Sequence, residues 1–98
     1  MEIKSAFDSN TEILEISGRI NTNTAPQFET EIENIPDFVT RLIIDFKDVA
    51  YLSSAGLRVI LLAQQTMAER DGMMIKNVSE PIMEIFEITG FSDILTFE

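Results

Sequence analysis

Residues 41–58 read Arg41-Leu42-Ile43-Ile44-Asp45-Phe46-Lys47-Asp48-Val49-Ala50-Tyr51-Leu52-Ser53-Ser54-Ala55-Gly56-Leu57-Arg58. The first six residues form a short apolar run rich in β-branched side chains. Its centre lacks alternation, the pattern of a strand covered on both faces. Lys47 to Ser53 then reads as a loop. From Ser54 a helix is expected to run to about Asp71, with Gly72 as its C-terminal stop. A strand that passes through a loop into a long helix is the building unit of an α/β fold.

Upstream, Met1 to Phe7 alternates weakly and Asp8-Ser9-Asn10 is a turn cluster. Thr11 to Ser17 carries Ile13, Leu14 and Ile16 among Glu12 and Glu15, so the two segments predict a hairpin, closed by Gly18-Arg19-Ile20. Thr24-Ala25-Pro26-Gln27 has the order of a capping box, with Thr24 at the N-cap and Pro26 in the first turn. Phe28, Ile32 and Ile35 repeat at helical spacing beyond it, and Pro36 ends the helix. Downstream, Met73 to Val78 predicts another interior strand. Ser79-Glu80-Pro81 opens a third helix with Ile82, Ile85 and Phe86 as its buried stripe, closed by Gly90, and Ile94 to Phe97 predicts a last short strand. The expected order is β-β-α-β-α-β-α-(β): a mixed sheet of about four or five strands flanked by about three helices. The five methionines are expected to fill gaps in the core.

At 98 residues, one domain spanning 1–98 is expected. The sequence has 7 basic and 17 acidic residues, a formal net charge of -10, and the acidic residues are spread through both halves. Such a surface repels phosphate backbones and anionic lipid heads, which argues against nucleic acid and membrane partners. With no His and no Cys, imidazole catalysis, thiolate chemistry and His/Cys metal sites are excluded. No cofactor or metal is implied. Met1-Glu2-Ile3-Lys4-Ser5 lacks the basic start and apolar core of a leader peptide, and the longest apolar run, Val59 to Ala63, is far shorter than a membrane span. A cytoplasmic protein is expected.

Chemistry concentrates where Ser53-Ser54-Ala55-Gly56 starts the second helix. Free N–H groups and the helix dipole favour negative charge there. A serine cap explains the hydroxyls without any function; a modified serine would be stabilised by the same N–H groups. Along the helix Gly56, Val59, Ile60, Ala63 and Met67 form one stripe toward the sheet, whereas Leu61 and Leu62 point away with Arg58 and Gln65 between them. Either a neighbouring helix covers both leucines, or they form an apolar strip that docks a partner, with Arg58 at its rim. Asp45 and Asp48 either end a strand and cap a turn, respectively, or orient the serines or a partner's magnesium–nucleotide group. Asn21-Thr22-Asn23 lies at the other strand-to-helix junction, and such loops cluster at one end of a sheet. A serine nucleophile needs a general base, and none better than carboxylates, Lys47 and Tyr51 stands nearby, so an enzyme is not expected.

The run from Asp45 to Arg58 resembles the signature of STAS domains, the sulfate transporter and anti-sigma factor antagonist family. Gly18-Arg19-Ile20, Ser79-Glu80-Pro81 and Thr89-Gly90-Phe91 fit in the same order, so the resemblance spans essentially the whole chain. It implies a bacterial anti-sigma factor antagonist, a non-enzymatic partner-switching regulator. Such a protein binds an anti-sigma factor serine kinase when unphosphorylated, is released by phosphorylation, and is restored by a serine phosphatase. The resemblance assigns the phosphoacceptor to Ser54, with Ser53 as the second choice because Ser53 stands where many relatives carry Asp. Asn21, Thr22, Asp48, Ser53, Gly56, Leu57, Arg58, Leu61 and Leu62 make up the candidate partner-binding set. The alternative is a STAS subunit of a lipid ABC transporter, or a small-ligand or nucleotide sensor. Many members of the family carry a further helix after the last strand. Here the residues stop at Glu98, so either the third helix and the acidic surface suffice or an exposed patch supports self-association.

Overall fold

The computed structural model describes residues 1–98. The hairpin forms as β1 (Glu2–Asp8) and β2 (Thr11–Ile20), joined by a two-residue turn in which Ser9 takes a positive φ of 56°. Then follow α1 (Ala25–Glu33), β3 (Arg41–Leu52), α2 (Ser54–Ala68), β4 (Met73–Lys76) and α3 (Glu80–Ile88), with a 3-10 turn at Phe91–Asp93. The four strands lie in the order β1-β2-β3-β4. β1 is antiparallel to β2, and β2, β3 and β4 are parallel. This is the mixed sheet with three helices expected from the sequence. The predicted last strand is reduced to one bridge, Ile75 to Phe97, flanked by hydrogen bonds from Ile75 N–H to Thr96 O and from Glu98 N–H to Ile75 O.

Side chains alternate across the sheet, and only one of its faces is covered. Leu14 and Ile16 of β2, Leu42, Ile44 and Phe46 of β3, and Met73 and Ile75 of β4 are buried beneath the helices. The other face carries Ala6, Ile13, Ile43 and Met74 in one cross-strand row, with Lys4, Glu15, Asp45 and Lys76 in the next; none of these residues is buried. The expectation that 41–46 is covered on both faces is therefore corrected. Topology supplies the reason. The parallel strands advance in a single direction, and crossovers of the usual right-handed sense along such a march put every helix on the same side. The apolar residues in the strand centre reflect a half-buried row on the open face, not a second helical layer.

A second correction concerns residues 47–52, which are strand and not loop. β3 stays paired with β2 as far as Ile20 and Leu52. It does so across two register shifts, Glu15/Ser17 opposite Asp45/Asp48 and Gly18/Arg19 opposite Val49/Tyr51, where β3 carries one extra residue each time. These bulges move the buried positions from Phe46 to Val49 and then Leu52, a spacing of three that hides the period of two.

Helix ends differ in detail. α2 stops at Ala68, three residues before the predicted end. The chain turns through Glu69 to Asp71, and Gly72, at φ 98°, donates its N–H to Met67 O at 3.0 Å. Thr24 does stand before α1, yet its side chain caps no N–H of the helix, so the capping box is absent. α3 is fixed by aromatic packing: the Phe86 ring lies 6.2 Å from Phe46 and 5.4 Å from Phe97. The buried apolar residues form one cluster from Leu14 to Leu95.

A one-sided sheet predicts unequal responses at neighbouring positions of β3. Ile44→Ala should cost about 2–5 kcal/mol in urea unfolding, the range for a fully buried aliphatic truncation. Ile43→Thr, which keeps β-branching on the open face, should cost no more than about 1 kcal/mol.

Candidate functional site

α2 begins where β3 ends, and its N-terminus is held by the backbone beneath it. Ser53, in extended conformation at the N-cap, accepts a hydrogen bond from Gly56 N–H through Oγ at 3.3 Å. Its own N–H donates to Ile20 O at 2.9 Å, which ties the cap to the end of β2. Ser53 is thus consumed as a cap, and its hydroxyl has a structural task. Ser54 is the first helical residue. It is exposed, and it has no side-chain hydrogen bond. Of the two adjacent hydroxyls, only the second is both free and presented to solvent.

The glycine in the motif is explained by proximity. A Cβ on Gly56 would stand 2.6 Å from both Ile20 Cγ2 and Leu52 Cδ1, atoms of two buried side chains. A methyl group there would have to displace the packed ends of β2 and β3. Gly56 and Leu57, both in the expected partner-binding set, are buried in the structure. They seat the helix start on the sheet and support Ser54 from below.

The rest of the predicted set divides. Ser54, Arg58, Leu61 and Leu62 share one helical face, at spacings of four, seven and eight. Arg58 is exposed, and its Nη2 meets Glu29 Oε1 of α1 at 2.8 Å. Leu62 is partly buried and packs on the core, and Leu61 is half-buried. The apolar strip is therefore narrower than two free leucines would make it. Ser53 N–H on Ile20 O brings the β2–α1 loop alongside. Within that loop Asn21 Oδ1 accepts from Asn23 N–H at 2.9 Å and Thr24 N–H at 3.0 Å. Thr24 Oγ1 donates to Arg19 O at 2.8 Å. Asn21 is thus engaged in closing the turn, while Thr22 is exposed.

Asp48 is not brought to the serines. It lies on the open face of the sheet, opposite Ser17, in a shallow polar depression with Glu15, Asp45 and Lys47. No group of three or more acidic residues is arranged to hold a metal ion. Asp45 also faces this side. Burial pushes its carboxyl up, but hydrogen bonds from Asn77 Nδ2 at 3.0 Å and Lys47 N–H at 2.9 Å, with the charges of Lys76 and Lys47, outweigh that and lower its pKa. Two neighbouring features escape a reading of the sequence: Glu29 as the partner of Arg58, and the Arg19 guanidinium 4.2 Å from the centre of the Tyr51 ring. Both join residues distant in the chain, and only the β2–β3 bulges and the α1–α2 packing bring them together.

The comparison with known proteins follows the same layout. Residues 2–98 match the family model described as "STAS domain". The chain belongs to the STAS domain family. This STAS chain is 33% identical over 81 residues to a putative anti-sigma factor antagonist, BtrV, of Bordetella bronchiseptica, covering 81% of this chain and 70% of that protein. It is 31% identical over 98 residues to the anti-sigma-B factor antagonist of Listeria monocytogenes, covering 97% of this chain and 84% of that one. Among solved structures, an anti-sigma factor antagonist from Mycobacterium paratuberculosis superposes with a TM-score of 0.89 at 21% identity, covering 98% of this chain and 83% of the other. The unphosphorylated antagonist SpoIIAA gives 0.83 at 16%, covering 99% and 88%. At these identities the structural matches establish the fold. The sequence relatives are named as antagonists, regulatory proteins and not enzymes. No helix of the STAS chain is long and apolar enough to cross a membrane.

Two predictions follow from the geometry. Ser53→Ala should destabilise the protein by about 1 kcal/mol through loss of the cap, whereas Ser54→Ala should change stability by less than about 0.5 kcal/mol; urea melts of the two variants separate the roles. Asp45, with its folded-state pKa below the ordinary value, contributes stability that is present at neutral pH and lost as pH falls through that lowered value. Asp45→Asn should therefore be less stable than wild type at pH 7, and the gap should close in acid. Melting temperatures measured from pH 7 down to pH 2.5 check the sign.

Proposed function

We propose that this STAS chain is an anti-sigma factor antagonist switched by phosphorylation at Ser54. In the unphosphorylated state it binds a serine-kinase anti-sigma factor and so frees the sigma factor. Phosphorylation at Ser54 releases it, and a serine phosphatase restores binding; this cycle runs in the cytoplasm. The observation that carries the site assignment is the division of labour at the α2 start. Ser53 Oγ is committed to the Gly56 N–H, and the Ser54 hydroxyl is exposed and uncommitted. The antagonist names of the relatives support the role.

The docking surface in this reading is the exposed side of α2 together with the adjoining β2–α1 loop, with Ser54, Thr22, Arg58 and the outer edge of Leu61 at its centre. A phosphate adds roughly -1.5 to -2 charge at one point of this surface. Closing an interface over that charge would strip it of water, a cost that opposes the complex. The chain's net charge of -10 is spread over the whole surface, so it cannot substitute for that local change.

The alternative, a subunit of a lipid transporter or a small-ligand sensor, draws on the shallow depressions of the open sheet face. Their linings are polar and mostly charged, Glu2, Lys4, Glu15 and Asp48 among them. An apolar enclosure, the usual form of a small-molecule site, is lacking there, so the antagonist reading is preferred.

The test uses the cognate serine kinase with ATP and intact-mass spectrometry. Wild type and Ser53→Ala should each gain one phosphate, and Ser54→Ala none. Ser54→Asp should bind the kinase at least tenfold more weakly than wild type, about 1.4 kcal/mol. Full phosphorylation of Ser54→Ala would overturn the assignment.

A further inference from the structure

Arg58 lies one helical turn after Ser54 and shares its face of α2. Side chains four residues apart on a helix are neighbours, and each Cα–Cβ bond leans toward the N-terminus. An arginine at this position therefore sweeps back over the turn that carries Ser54. In the unmodified protein its guanidinium is occupied by Glu29 of α1 at 2.8 Å, the only ion pair between two helices. Arg58 is 68% exposed and Glu29 29% exposed in that pair, and a pair so open to water contributes little to stability. It is a contact that a stronger anion can take.

We propose that the phosphate on Ser54 captures Arg58 from Glu29, so that modification at the start of α2 is read at once in the α1–α2 groove. This rests on the phosphorylation reading above and adds the response that follows it. A phosphate monoester carries more charge than a carboxylate and offers three acceptor oxygens to the planar fork of the guanidinium, an arrangement suited to paired hydrogen bonds. Arg58 is the one cation on α2, and α1 carries none, so Arg58 is the helix cation placed to answer the phosphate. The exchange has a consequence for the surface. In the unmodified protein Arg58 and Glu29 neutralise one another. After the exchange Arg58 offsets part of the phosphate charge, and the Glu29 carboxylate is left free. Phosphorylation thus turns a hydroxyl beside a neutral pair into two separate negative positions, one on each helix. Arg58 acts as a positioning residue: it fixes the phosphate against α2 and relays the event to α1.

The experiment installs phosphoserine at position 54 by genetic encoding, with no kinase involved, and follows the phosphate by 31P NMR as pH is varied. The second ionisation of a phosphoserine falls near pH 6. With Arg58 present it should lie about half a unit lower than in the Arg58→Ala protein. Arg58→Lys should recover part of that shift, and 0.5 M NaCl should shrink it. Glu29→Gln, which removes the competitor, should leave the wild-type shift in place or enlarge it. Superimposable titration curves for wild type and Arg58→Ala would overturn the proposal, as would loss of the shift in Glu29→Gln. Because the phosphoserine is encoded, failure of a kinase to modify Ser54 would sink the functional reading and leave this measurement intact. The converse also holds.

Discussion

The structure depends on the direction in which its parallel strands advance. β2, β3 and β4 lie side by side in chain order, and each crossover of the favoured hand returns a helix to the same side of the sheet. Three consequences follow from that single constraint. The apolar cluster lies between one face and the helices, the opposite face stays open, and the helices that follow β2 and β3 both begin at the same edge. That edge holds the β2–α1 loop and the Ser53-Ser54 junction together, joined by the hydrogen bond from Ser53 N–H to Ile20 O. A sheet in which the strand order reversed would have put the two helices on opposite faces and separated the two loops.

The extended end of β3 brings the junction to its place. With two extra residues accommodated as bulges, β3 stays paired to its last residue and delivers Leu52 and Ser53 directly against Ile20. Gly56 then lets the helix rest on the side chains of Ile20 and Leu52 so closely that a Cβ there would force them to shift. The Ser-Ser-Ala-Gly motif is in this sense a statement about how closely the helix start packs on the sheet. Its glycine and the following Leu57 are packing residues, and Ser54 is the one residue of the motif that is exposed.

The element order was readable from periodicity and punctuation because local rules dominate there. Thr11–Ile20, the Pro26 start, the apolar stripe of α2 and the Gly72 stop all announce themselves in sequence. The stripe Gly56, Val59, Ile60, Ala63 and Met67 is buried as its spacing requires. What could not be read depends on contacts between distant segments. The strand character of Lys47–Leu52 is set by pairing with β2, and its bulges erase the alternation that would have revealed it. The open face is a property of strand order, so the run from Leu42 to Phe46 could not disclose it. Thr24 has the residue type of a cap, yet its hydroxyl bonds to Arg19 O because the chain turns back on itself before α1. At the site, serine chemistry was visible, while the Arg58–Glu29 pair, joining positions 29 residues apart, was not.

The proposed division of roles between the two serines would let one chain combine a stable helix start with a modifiable one. A hydroxyl at the N-cap bonds to an N–H that would otherwise be orphaned, so a phosphate there would have to take over the capping bond itself. A hydroxyl at the first helical position carries no such duty. Its modification adds charge beside a helix terminus that favours negative groups, so the fold can persist while the surface changes. In this reading the division between Ser53 and Ser54 separates stability from signalling within two consecutive residues, and the ion pair at Arg58 connects the second of them to the neighbouring helix.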